Sequence, residues 1–218
     1  MPLRCELTTS RSPADSRGAR GPQVWSRPAS PDYVPHPWQR LMSTVASALL
    51  FCSTLSSGLT AGLFFGWAMS VLPGTAKVSD RNYVATMQSI NIAIINPIFM
   101  LAFLGTAIVL AAGAWCHHRD GQARRGWLLA AAAGTYALGV VGVTAARNVP
   151  LNNQLDAFVL DGASDTTVSE RRTRYESSWN AWHYVRTIAN IAAFCLAITA
   201  QSADRPNAGA GHTSLRQI

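Results

Sequence analysis

The stretch STVASALLFCSTLSSGLTAGLFFGWAMSV, residues 43–71, contains no Asp, Glu, Lys, Arg or His. A transmembrane helix needs about 20 mostly apolar residues, so this stretch alone is long enough to cross a bilayer. The absence of charge extends over Leu41–Ala76 and recurs in Asn82–Cys116, Gly126–Ala146 and Thr187–Ala203. The last stretch is short unless its span reaches back past Arg186 to about Trp182. A soluble bundle would show charged faces every few residues, and these stretches show none. The sequence therefore predicts an all-α polytopic membrane protein, with four transmembrane helices in an antiparallel bundle. The spans are expected at about 43–71, 84–114, 126–146 and 182–202, within a domain covering 41–203.

The flanks read differently. Residues 1–40 are rich in Pro, Ser, Arg and Gly without helical or strand period, and this arm and the tail 204–218 are expected to be disordered. Met42, one residue inside the first apolar stretch, offers an alternative start, which the intact mass of the natively expressed chain would test. The net charge of +7 is carried by arginine, Lys77 being the only lysine. Basic residues are in excess in the arm, in the connection after span two and in the tail. The other two connections are balanced by acids. The positive-inside rule then places both termini in the cytoplasm of a multi-pass cell-membrane protein whose first partner is the lipid bilayer. No nucleic acid is expected as partner, because the arm's arginines lack interleaved aromatics. Cys5, Cys52, Cys116 and Cys195 show no pairing pattern, and no metal spacing, P-loop or dinucleotide fingerprint occurs. His117-His118 is expected as a solvated pair beside Trp115 and Trp127.

Within the spans, polar residues gather at one depth. Trp179, His183, Arg186 and Asn190 are spaced to share one helix face. Gln88 and Asn91 lie in the outer half of span two, which Pro97 is expected to kink. Arg147, Asn148 and Asn152 follow span three, where Pro150 is expected to break the helix into a turn. Gly58, Gly62 and Gly66 form a small-residue stripe suited to packing, with Phe64, Phe65 and Trp67 beside it. An arginine inside a span needs a reason to be held there. The clustering on three helices predicts a polar cavity open to the outer leaflet.

Four segments together carry a resemblance: GLFFGWA at 62–68, YVATMQSIN at 83–91, NVPLNNQLD at 148–156 and WNAWHYVR at 179–186. The combination resembles the anthrone oxygenase-like membrane proteins over about 43–200. It departs at 183, where the family pattern has Asn and this chain has His183. The resemblance implies oxidation of a flat tricyclic anthrone by molecular oxygen with no added organic cofactor, and the lack of metal spacing adds the expectation of no metal. For that chemistry the residues themselves offer Arg186 and Arg147 as a clamp on the developing oxyanion and His183, the one imidazole of the cluster, as base. Asn148, Asn152, Gln88, Asn91 and Asn190 would orient a small lipophilic aromatic ligand, and Trp179, Trp182 and Trp67 would stack on it. A different class uses the same cavity: a non-enzymatic membrane protein that binds or escorts a lipophile, or assists a partner enzyme.

Overall fold

The computed structural model describes residues 37–203. The arm up to residue 36 and the tail from 204 lie outside the described residues. Helix α1 (Pro37–Gly66) continues through a π-helical segment, Trp67–Val71, into α2 (Leu72–Thr75). Helices α3 (Asp80–Ala93), α4 (Pro97–Arg119) and α5 (Ala123–Tyr136) follow. From α5 the chain runs through π-helical Ala137–Gly142 and Thr144–Asn148 into α6 (Val149–Asp156), and α7 (Asp165–Ser202) closes the fold. Four helical stretches are long and apolar enough to cross a membrane: Arg40–Thr75, Pro97–Arg119, Ala123–Asp156 and Asp165–Ser202. Their outward faces carry residues such as Ile98, Leu101 and Leu138, at least three-quarters exposed in the isolated chain, which suits lipid contact.

The four long helices pack in a ring: α1 lies beside α4 and α7, and α5 lies beside the same two. Their shared core includes Leu50, Leu110, Leu129, Tyr136, Val140, Ala193 and Ala197, with Phe64 and Phe103 at its edge. Small side chains allow the close approaches. A Cβ on Gly139 would lie 2.5 Å from the Ala189 Cβ, and one on Gly58 would lie 2.9 Å from the Phe194 ring. Gly62 and Gly66 have open space around them, so only Gly58 of the expected stripe packs as proposed. The buried face of α1 instead bears Ser53, Ser57 and Thr60. Their hydroxyls bond back to the helix or, for Ser53, to the Val109 carbonyl at 3.0 Å.

Two proline expectations need correction. Pro97 does not kink one long span but separates two helices, with Ile94–Asn96 between them. Asn96 is extended, as a residue before proline prefers, and its side chain caps α4 by accepting from the Phe99 N–H at 2.9 Å. Helix α3 is thereby freed to lie across α6 and α7. Pro150 does not break span three. It falls in the first turn of α6, where hydrogen bonding changes from the wide π register back to α, so a missing N–H costs little. Asn148 and Asn152 are consequently helical and one turn apart.

His117 also departs from expectation. It is buried, continuing the inward stripe of Phe103, Thr106, Leu110 and Ala114, with ring nitrogens 3.1 Å from the Ala46 carbonyl and 3.0 Å from Gln122 Oε1. Its neighbour His118, about 100° around the helix, is exposed.

A second core forms at the α3 end from Leu72, Tyr83, Val84, Met87, Leu155, Val168, Tyr175 and Trp179. Two arginines tie it down. Arg172 bonds Glu176 at 2.7 Å, Asp80 at 2.9 Å and the Val78 and Ala76 carbonyls, and stacks over Tyr83. Arg81 bonds the Leu160 and Ala163 carbonyls and Asp165. Burial pushes the Tyr83 phenol above its ordinary range, so it stays protonated in this apolar setting.

Candidate functional site

Between the two cores lies a cavity of about 360 Å³. Phe64 and Phe103 belong to one core and Trp179 to the other, and all three line it. Each long helix contributes. Helix α1 and its π continuation supply Leu63, Phe64 and Trp67, the α3–α4 break supplies Ile94 and Ile95, and α4 supplies Phe99 and Leu104. The π-helical part of span three supplies Thr144 and Asn148, α6 supplies Asn152, and α7 supplies Trp179, His183 and Arg186. A π turn adds one residue to the helical circuit and rotates the positions beyond it, and such turns recur at functional sites. Here three residues spaced by four, Thr144, Asn148 and Asn152, reach the cavity together.

The face of α7 is buried as its spacing required: Trp179, His183, Arg186 and Asn190 are each at most 7% exposed. Trp179 and His183 stack, with ring centroids 5.1 Å apart and planes 6° from parallel. Tyr175 stacks on the other side of Trp179. Asn152 Oδ1 accepts from both the Trp179 Nε1–H at 2.8 Å and the Tyr175 hydroxyl at 3.0 Å, which fixes the stack against α6.

Arg186 is buried without a carboxylate partner among the described residues. Its Nη1 donates to Thr144 Oγ1 at 3.1 Å and its Nη2 to His183 Nδ1 at 3.1 Å. The guanidinium lies 5.1 Å from the Phe64 ring and 5.3 Å from that of Trp179, while its buried Nε has no partner. The electrostatics of His183 follow. A guanidinium can only donate, so Nδ1 must accept. The hydrogen is then on Nε2, which donates to the Phe64 carbonyl at 3.1 Å. Both ring nitrogens are engaged.

The amides divide into two groups. Asn91, Asn148 and Asn152 line the cavity. Asn91 donates to Asp156 at 3.3 Å, Asn148 donates to the Trp179 carbonyl at 3.3 Å, and Asn148 Oδ1 is buried with no partner. Gln88 instead holds the end of α6, donating to the Leu155 and Phe158 carbonyls. Asn190 faces α1, where its Oδ1 accepts from Thr60 at 3.2 Å. Trp67 lines the cavity, with its Nε1–H buried and unpaired. The structure does not bring Arg147 or Trp182 there. They form a cation–π pair, 4.9 Å apart, and neither lines the cavity.

Thr144 was missed in the sequence, although its spacing of four from Asn148 and of eight from Asn152 was a readable signal. Among the described residues, no three His, Cys, Asp or Glu side chains gather as around a metal ion. Asp80 and Glu176 are both bound by Arg172.

A family model described as anthrone oxygenase matches residues 91–196. The matched segment runs from Asn91 through α4, α5, α6 and most of α7, and so includes Thr144, Asn148, Asn152, Trp179, His183 and Arg186. Phe64 and Trp67 lie outside it. Comparison with curated proteins and with solved structures found no match.

Proposed function

Because the chain is anthrone oxygenase-like across residues 91–196, we propose that it is a cell-membrane oxygenase. It oxidises a flat aromatic, polyketide-type substrate with molecular oxygen and no added organic cofactor. One observation carries the reading: a buried arginine without a carboxylate partner, set at an aromatic-walled cavity inside the matched segment.

The chemistry asks little of the protein. An anthrone methylene, flanked by two aromatic rings and conjugated to the ring carbonyl, tautomerises to a phenol, which gives its proton to water and leaves an electron-rich oxyanion that reduces oxygen directly. Carbon–oxygen bond formation gives a hydroperoxide, which loses water to leave a carbonyl. In sum, the methylene and one molecule of oxygen become a ketone carbonyl and one molecule of water. Arg186 stabilises the oxyanion form of the substrate from a site of low dielectric. Trp67, Phe64 and Trp179 wall the flat rings, and Asn91, Asn148 and Asn152 orient them. His183 holds the Arg186 guanidinium by its Nδ1 and is itself held by the Phe64 carbonyl, so it positions the cation. The excess of basic residues at the other end of the bundle supports an outward-facing cavity, which impermeant labelling of cysteines placed in 157–163 and 120–122 would test. Labelling at 157–163 alone is expected.

The test of the reaction is incubation of membranes bearing the protein with an anthrone under oxygen-18 gas. The quinone carbonyl should carry label well above the level from empty membranes, since anthrones also autoxidise. Label equal to empty membranes, from folded protein, contradicts the proposal. One observation favours a non-enzymatic reading, in which the protein retains or escorts a lipophile. The cavity lining contains no carboxylate, and the only imidazole there has both nitrogens engaged. Turnover, as against retention, separates the two.

A further inference from the structure

We propose that the cavity takes its ligand as a preformed anion. The ligand is a flat, lipophilic aromatic monoanion, a phenolate or carboxylate, whose charge is the counter-ion of Arg186. The inference rests on the cavity of the proposed function but not on its oxygen chemistry.

Three independent features of the site lead to it. First, Arg186 is 7% exposed, and no acidic residue lines the cavity beside it. A charge held in such a place is costly unless it is paired. Asp156, which accepts from the lining residue Asn91, is exposed and does not itself line the cavity. Protein acceptors and rings occupy part of the guanidinium, but Nε remains buried and unpartnered. A planar oxyanion is the group that completes this fork.

Second, the site has no means of making the anion. Asn91, Thr144, Asn148 and Asn152 do not titrate in the ordinary range. His183 accepts from Arg186 and donates to Phe64, so no lone pair is free to take a ligand proton. An acidic ligand must therefore give its proton to water before entry, and the site selects the ionised form.

Third, the walls decide what kind of anion enters. The lining is aromatic and aliphatic, with Phe64 and Trp179 beside the cation, Trp67 and Phe103 also in the wall, and Ile95 and Leu104 exposed. A small hydrated anion would lose its water without replacement there. A flat ring system bearing one charge loses little and stacks.

The test compares anthracene-2-carboxylate with anthracene-2-carboxamide, which share rings and shape but differ in charge. Each is titrated into the full-length protein in zwitterionic phosphatidylcholine nanodiscs. Saturable quenching of tryptophan emission is read after subtraction of protein-free discs. The carboxylate should bind roughly tenfold or more tightly than the amide. Arg186→Gln should abolish that preference, and Arg186→Lys should retain part of it. Equal affinities in the wild type, no saturable carboxylate binding, or a preference that survives in folded Arg186→Gln would each overturn the proposal. The wild-type comparison decides even if the variants do not fold. Carboxylate preference without oxygen consumption would refute the oxygenase reading alone. Oxygen consumption without that preference would refute this inference alone.

Discussion

At the scale of single residues, His183 and Arg186 act as one unit. The resemblance carries the expectation of Asn at 183, and the hydrogen-bond polarity explains how His can stand there. The neutral imidazole directs its one donor to the Phe64 carbonyl and its one acceptor to Arg186, and an Asn amide also carries both an N–H donor group and an acceptor oxygen. His183→Asn should therefore keep most ligand binding, whereas His183→Leu should lose it, because Leu leaves the guanidinium without its acceptor. Binding isotherms for anthracene-2-carboxylate check this, and loss in both variants would contradict the positioning role. Asn152 makes a second residue-level case. Asn152→Leu removes the acceptor shared by Trp179 and Tyr175, and two buried donors left unpaired should cost about 1–3 kcal/mol each. Thermal melting in detergent should show the drop. The sequence identified the face of α7 because helical spacing alone fixes it. It could not show that Asn190 turns to Thr60 or that Arg147 pairs with Trp182, since both depend on which helix lies opposite.

At the scale of elements, the apolar stretches were legible because a lack of charge is a local property. The prolines were misread because their effect depends on the register they meet. Pro97 found a side-chain cap in Asn96 and started a helix. Pro150 fell just past a π segment and interrupted nothing. The π segments themselves left no mark in composition, yet they bring Thr144, Asn148 and Asn152 to the cavity. Glycines show the same dependence on context. Gly139→Ala would force a methyl to 2.5 Å from the Ala189 Cβ and should destabilise by about 1–3 kcal/mol. Gly62→Ala meets nothing within 4 Å and should be neutral or stabilising by up to about 1 kcal/mol. Parallel melting of the two variants checks the contrast, and equal shifts would contradict the close approach of Gly139 to α7.

At the scale of the molecule, the cavity exists because two cores meet imperfectly. One core belongs to the four-helix ring. The other is a cap made where α3 crosses α6 and α7, held by Arg172 and Arg81. Charge counting treated those arginines as loop residues that balance acids, which is true of their sum but not of their work. Arg172→Ala should loosen the cap while leaving the ring intact. Hydrogen exchange should rise over about residues 72–90 and change little in α4 and α5, and a uniform rise would contradict the two-core description.

The account stands most directly on oxygen uptake by membranes given an anthrone, compared across wild type, Arg186→Gln, Arg147→Gln and empty membranes. Wild type and Arg147→Gln should consume oxygen above the empty-membrane rate, because Arg147 lies outside the cavity. Arg186→Gln, folded and at equal amount, should fall by roughly a hundredfold or more toward that background. Uptake by wild type no faster than empty membranes, or full uptake by Arg186→Gln, would contradict it.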